Sequence, residues 1–187
     1  MKQIVIIIST VVLAGLWIWF VFNRSQTKTD NQSENKKFRY IKLHRLKTRK
    51  NHPINLAEIE VMSNGKNVAC GKTVTQSSRY RDIGNPSDLT NGVFTDFIHT
   101  KDEEHEWVLL DLGESLVVDI VTIYNRIGID YVTEPATGIE IQLSNSADMS
   151  DATISDAITL EQSRHVKFDL VLPKLQIIAS ITLRSEC

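Results

Sequence analysis

Cysteine is scarce in this chain, which holds only Cys70 and Cys187. Two thiols allow at most one internal disulfide, so a small secreted scaffold stapled by many bridges is excluded and a reducing compartment is permitted. Cys70 lies at the start of a strand and reads as a packed thiol. Catalytic signatures are missing too. There is no Gly-x-Ser-x-Gly elbow, no His-Glu-x-x-His pair, no phosphate-binding loop and no Cys-x-x-Cys pair. His44, His52 and His165 are scattered without metal-ligand spacing, and His105 sits within residues 101–106 (KDEEHE), which read as an exposed acidic loop. No catalytic residue is assigned, and an enzyme is not expected.

Charge of either sign is absent from residues 4–22, where Ser9 and Thr10 are the only polar interruptions and Trp17 and Trp19 lie near one end. As a helix this run would be about 28 Å long, close to the thickness of a bilayer's hydrocarbon core. It offers no small-residue cleavage site after Trp17, so an uncleaved membrane anchor over residues 1–22 is expected and not a signal peptide. Apolar residues, in turn, are absent from residues 23–37. A stretch of that composition cannot bury enough surface to fold, and as a flexible coil it would hold its ends roughly 20 Å apart.

The overall charge of −2 conceals a division. Residues 1–50 carry 11 Lys/Arg against 2 Asp/Glu, and the remainder carries 10 against 21. Lys36, Lys37, Arg39, Lys42, Arg45, Lys47, Arg49 and Lys50 make a basic patch interleaved with Phe38, Tyr40, Ile41, Leu43 and Leu46. Their β-branched and aromatic neighbours predict a strand near a sheet edge, suited to anionic headgroups or an acidic protein face, at about 1 kcal/mol per charge beside a charged leaflet. Nucleic acid is not expected, because the domain that follows is acidic. The basic residues after the apolar run favour a single-pass protein with its C-terminal domain on the cytoplasmic side, or inside a virion facing the shell. Asn23-Arg24-Ser25 and Asn31-Gln32-Ser33 match the glycosylation pattern and would argue for the opposite side.

At 187 residues with 42% hydrophobic side chains, the chain has room for one domain with a real core, residues 38–187, beyond the linker. Ala57, Ile59 and Val61 alternate with Glu58, Glu60 and Met62, which predicts a strand with one buried face. Ser63-Asn64-Gly65-Lys66 then turns it back into an extended run from Asn67 to Ala69. Residues 79–100, rich in Asn, Asp, Gly, Ser and Pro, read as a long loop region. Trp107–Leu112 predicts a strand, Gly113-Glu114-Ser115 a turn, and residues 116–126 a central strand with two apolar faces. Alternation resumes around Ile139, Ile141 and Leu143, around Val166, Phe168, Leu170 and Leu172, and around Ile177, Ala179, Ile181 and Leu183. At least seven short strands and no 3.6-residue stripe after residue 22 predict an all-β antiparallel sandwich.

The stretch NLAEIEVMSNGKNVACGKTVTQSS over residues 55–78 resembles the opening of the F-type lectin (fucolectin) and discoidin-like group of galactose-binding-like β-sandwiches. Tyr40-Ile41-Lys42-Leu43, Asn91-Gly92, Trp107 to Gly113 (WVLLDLG) and Val121 to Arg126 (VTIYNR) extend the likeness in order over residues 40–143. The resemblance implies a jelly roll. It implies sugar contacts from His99 and Arg126, although Gly128 and Thr133 stand where a bracing Asp and a second basic residue are expected, and Asp130 fits only with a shifted loop. It also implies a structural calcium ion held by Glu58, Asp88, Asn91 and Asp96, with carbonyls near Ala57 and Val93. Chains opening in this way also resemble proteins of large DNA viruses, where such a minor capsid protein would link an internal membrane to the shell. Two functions follow as expectations: a non-enzymatic tether docking on a protein lattice, or a membrane-anchored, fucose-type lectin.

Overall fold

The computed structural model describes residues 36–45, 53–126, 136–158, 167–172 and 176–179. Internal contacts divide the chain into Met1–Glu34 and Asn35–Cys187, and every described residue belongs to the second unit. The expected anchor and most of the linker lie outside the described residues, as do Lys47, Arg49 and Lys50. Among the described residues no helix is long and apolar enough to cross a membrane.

Ten strands are described: β1 (Lys37–Arg45), β2 (Leu56–Ser63), β3 (Lys66–Asn67), β4 (Thr73–Gln76), β5 (Trp107–Val117), β6 (Ile120–Asn125), β7 (Ile139–Ser144), β8 (Thr153–Ile154), β9 (Lys167–Val171) and β10 (Gln176–Ala179). They form two five-stranded sheets, β4-β5-β1-β7-β8 and β10-β9-β6-β2-β3, with every pairing antiparallel. Inward residues of both sheets, among them Ile41, Leu43, Leu110 and Ile141 from the first and Ile59, Val61, Val121 and Ile123 from the second, share one core. The chain is therefore an all-β sandwich, as its alternation predicts.

The first hairpin forms as expected. Asn64 (φ +50) and Gly65 (φ +76) take the left-handed conformation at both central positions, the turn whose twist matches its flanking strands. Residues 116–126 divide at Val118-Asp119, and their second part becomes β6, a central strand buried at nearly every position. The turn expected at Gly113-Glu114-Ser115 is instead a wide bulge within β5. Phe38 faces Leu116 and Tyr40 faces Asp111, so four residues loop out opposite Arg39 while both limbs of β5 stay paired with β1. Gly113 supplies the positive φ of +86 that the excursion requires.

β1 is not an edge strand. It lies at the centre of its sheet between β5 and β7; Phe38, Ile41 and Leu43 fill the core while Lys37, Arg39 and Lys42 project from the opposite face. Charge on an outward face is compatible with full hydrogen bonding on both sides of a strand, and the composition of residues 36–50 could not distinguish the two arrangements.

Candidate functional site

The loop region over residues 79–100 is ordered by its own contacts to the start of β2. Ile98 N–H donates to the Leu56 carbonyl (2.9 Å), Thr100 N–H to the Ile54 carbonyl (3.0 Å), and Ile54 N–H to Thr100 Oγ1 (2.9 Å). Ile98 is thereby buried in the core. Phe97 and His99, one residue either side of it, are half-buried. The Arg126 guanidinium lies 3.5 Å from the centre of the Phe97 ring, and His99 stacks on Tyr80 at 4.9 Å. Arg81 covers Tyr80 in turn, at 5.0 Å. The two side chains that the family resemblance singled out thus each pack on a ring of this loop region, Arg126 on Phe97 and His99 on Tyr80.

Backbone contacts position Tyr80, Phe97 and His99, and a side chain positions Arg126. Tyr80 N–H donates to the His99 carbonyl (2.9 Å), and Gly84 sits so close beneath that an added Cβ would meet the Phe97 carbonyl oxygen at 2.1 Å. His99 Nδ1 is 2.7 Å from the Thr100 carbonyl, which can only accept, so Nδ1 carries the proton and Nε2 is the neutral ring's acceptor. With its amide turned to satisfy both neighbours, Asn55 donates to the Ile98 carbonyl (3.0 Å) and accepts from Arg126 Nη1 (3.3 Å). The Arg126 fork is therefore partly committed to Asn55, and its face to Phe97. Such a surface suits polar or anionic groups laid against rings. Tyr80, Arg81 and Phe97 were missed by sequence reasoning, and three such residues among Asn, Asp, Gly and Pro were the available signal.

Of the four side chains expected to hold calcium, three gather at the turn over residues 91–96. The Glu58 carboxylate, 1% exposed, accepts Gly92 N–H at 3.1 Å. Asn91 Nδ2 donates to Asp96 at 3.3 Å, and Asn91 Oδ1 accepts Val93 N–H at 2.7 Å. Phe94 fixes the turn from above by an edge-on contact with Tyr124, 4.7 Å between ring centres. Asp88 serves elsewhere: its carboxylate accepts Asn85 N–H (2.7 Å) and caps the short 3-10 helix over Pro86–Thr90. Glu58, Asn91 and Asp96 are hard oxygen donors, the chemistry calcium requires, and backbone carbonyls would have to supply most of its shell. Among the described residues no group of three or more His, Cys, Asp or Glu is placed to hold a metal.

The basic patch contracts. Arg45 is 5% exposed, which removes it from any membrane-facing surface. Its Nη1 donates to the Thr137 carbonyl (2.6 Å) and its Nη2 to the Pro53 carbonyl (3.1 Å), a strand-end residue turned inward onto two part-buried carbonyls. Arg39 forks onto Asp111, Nε to Oδ1 at 2.8 Å and Nη2 to Oδ2 at 2.9 Å, and this holds the Asp111 carboxyl below its ordinary range. Lys36 and Lys37 are exposed, and Lys42 is half-buried with its ammonium 5.4 Å from the Trp107 ring centre.

The acidic loop is exposed from Lys101 to His105, as expected, but Glu106 is 2% exposed and accepts from the hydroxyls of Ser77 and Ser78. His105 stacks on His44 with ring centres 5.9 Å apart, although the two are 61 positions apart and nothing in their spacing signalled it. Burial lowers the His44 pKa, aided by the charges of Lys42 and His105. Cys70 also differs from expectation, since it is disulfide-bonded and not a thiol.

Neither a family model, nor a curated protein, nor a solved structure matches this chain. What the described residues define is a class: an all-β sandwich with an ordered loop end that presents cations and rings.

Proposed function

We propose that this chain is a non-enzymatic, membrane-anchored tether built on a galactose-binding-like jelly roll. In this reading residues 4–22 cross a bilayer, residues 23–37 form a short leash, and the loop end docks on a protein lattice. A minor capsid protein of a large DNA virus, joining an internal membrane to its shell, is the form of tether that the sequence resemblance favours. The observation carrying the reading is the commitment of Arg126: its face rests on Phe97 and its Nη1 bonds Asn55. A sugar-binding fork must reach its ligand's hydroxyls, whereas a flat guanidinium on a ring is well suited to a protein contact.

A glycan array probed with the full chain in detergent tests this against the lectin reading. The expected result is no glycan bound above background with calcium present. Binding abolished by His99→Ala and by Arg126→Ala would replace the tether with a fucose-type lectin.

We propose further that calcium braces the turn over residues 91–96 through Glu58, Asn91 and Asp96. Adding calcium to chelator-treated protein should raise the unfolding midpoint by roughly 5–10 °C when the ion is about 100-fold above its dissociation constant. Glu58→Gln should abolish that shift. A midpoint indifferent to both calcium and chelator would sink the cation site.

A further inference from the structure

The loop end leaves the outward face of the β4-β5-β1-β7-β8 sheet unused. The pairing registers lay one row across all five strands, Thr75, Leu109, Lys42, Gln142 and Ile154. Trp107, His44 and Glu140 form the row beside it. Every one of these side chains is half-buried or exposed, and Ile154 is 50% exposed. The other sheet differs, since β2 and β6 are buried at nearly all positions on both faces.

The outward side chains of β1 put cations against rings. Arg39 lies 5.0 Å from the Tyr40 ring centre, Lys42 lies 5.4 Å from that of Trp107, and His44 stacks on His105. Trp and Tyr beside Lys and Arg, with Leu109 and Ile154 between, is the composition of a water–hydrocarbon boundary: apolar bodies with polar heads at one level. Lys36, Lys37 and Lys42 outweigh Glu140, the Arg39–Asp111 pair cancelling itself, so the face along β1 is cationic, with the acidic loop over residues 101–105 beside its His44 end. An anionic plane would therefore attract this part of the face.

The chain supplies the plane's location. β1, the strand at the centre of this face, begins at Lys37. The uncharged run ends at Phe22, and a coil of the residues between reaches roughly 20 Å. We infer that the outward face of this sheet rests on an anionic lipid surface, the leaflet from which the leash emerges. This rests on the anchor reading above. It also assigns the two ends of the tether, with lipid under the β1 sheet face and the protein partner at the loops over residues 79–100.

The full chain reconstituted in vesicles of phosphatidylcholine, with or without phosphatidylserine, tests the inference. Shallow brominated lipids quench indole at the interface, and the contribution of Trp107 is the difference between wild type and Trp107→Phe. Trp107 should be quenched in the phosphatidylserine vesicles and released by high salt. Lys37→Glu with Lys42→Glu should lower the docked-to-undocked ratio at least tenfold, each charge beside an anionic leaflet being worth a factor of about five. The salt response of wild type carries the same information if that variant fails to fold. Quenching equal in both lipids and indifferent to salt overturns the inference. So does protection of Trp107 that appears only at high protein density, which would mean a second copy covers the face. Vesicles that retain the chain while Trp107 stays unquenched remove this inference and leave the anchor standing; vesicles that fail to retain the chain remove both.

Discussion

Cys70→Ser will lower the stability of the sandwich by about 4 kcal/mol, a fall of roughly 10 °C in unfolding midpoint. Cys70 is disulfide-bonded, and the other cysteine of the sequence, Cys187, lies outside the described residues. An intrachain bridge can run only between those two, and for a loop of roughly 100 residues the denatured chain loses enough entropy to be worth about 4.7 kcal/mol. Cys70 lies between the first hairpin and β4, and Asn67 Nδ2 is 3.2 Å from its sulfur. A non-reduced digest should contain a peptide joining residues 70 and 187. Dithiothreitol should reproduce the loss in wild type and leave the Ser variant unchanged; a wild-type midpoint insensitive to reductant would count against the bridge.

This bond bears on topology. Structural disulfides persist in oxidising compartments and are rare where glutathione keeps thiols reduced. The basic residues after residue 22 favour a cytoplasmic sandwich, whereas the bridge favours an oxidising space, including the interior of an oxidised particle. Alkylation of intact cells without reductant separates the two. Modification of Cys70 would restore the cytoplasmic reading, and protection until reduction would exclude it.

Arg45→Ala will cost about 3–5 kcal/mol while Lys42→Ala, three residues earlier on the same strand, will cost less than about 1 kcal/mol. Arg45 is almost fully enclosed and spans the carbonyls of Thr137 and Pro53. Burial brings its pKa down to about 10, against the favourable charges of Asp102 and Glu106. It therefore stays protonated at neutral pH, and its removal leaves two part-buried carbonyls without this donor and takes a cation from near the buried Glu106 carboxylate. Lys42 loses only a contact with the Trp107 face, of the order of 0.5 kcal/mol at a half-exposed site. Arg45→Met separates packing from charge: it keeps the apolar stem, and recovery of most of the lost stability would show that the hydrogen bonds matter little. Equal costs at positions 42 and 45 would overturn the burial of Arg45.

How far the sandwich was legible depended on periodicity. β7 and the hairpin at Asn64-Gly65 follow directly from two-residue alternation and a turn that needs positive φ twice, and so does the existence of β2; its single buried face does not, because Glu58 and Glu60 are buried as well as Ile59 and Val61. β6 was recognisable as a central strand because both of its faces are apolar. The bulge at residues 112–115 was misread as a hairpin turn because a Gly-centred excursion has the same composition whether the chain reverses or rejoins its partner. Ile54, Leu89 and Ile98 are fully buried yet belong to segments without any period, so no pattern marked them as core.

The candidate site was less legible. His99 and Arg126 are singled out by likeness to a family, and their contacts with Tyr80 and Phe97 are made by loop packing that no local pattern encodes. Asp88 was grouped with Glu58, Asn91 and Asp96 by position, but its carboxylate caps a helical turn, a local use that competes with any distant ligand. The basic patch was counted along the chain, where Lys42 and Arg45 look alike.

By itself the sequence determined an all-β domain, the inward and outward sides of most of its strands, and the division of the chain into a basic beginning and an acidic remainder. Each follows from chemistry local to a few residues. Tertiary structure alone decided that β1 is central, that Arg45 and Glu106 are buried while Lys42 faces outward, and that His44 meets His105. The physical reason is that alternation specifies which face a residue occupies but not which strand lies beside it. A charge becomes buried, paired or exposed only through neighbours far away in the chain.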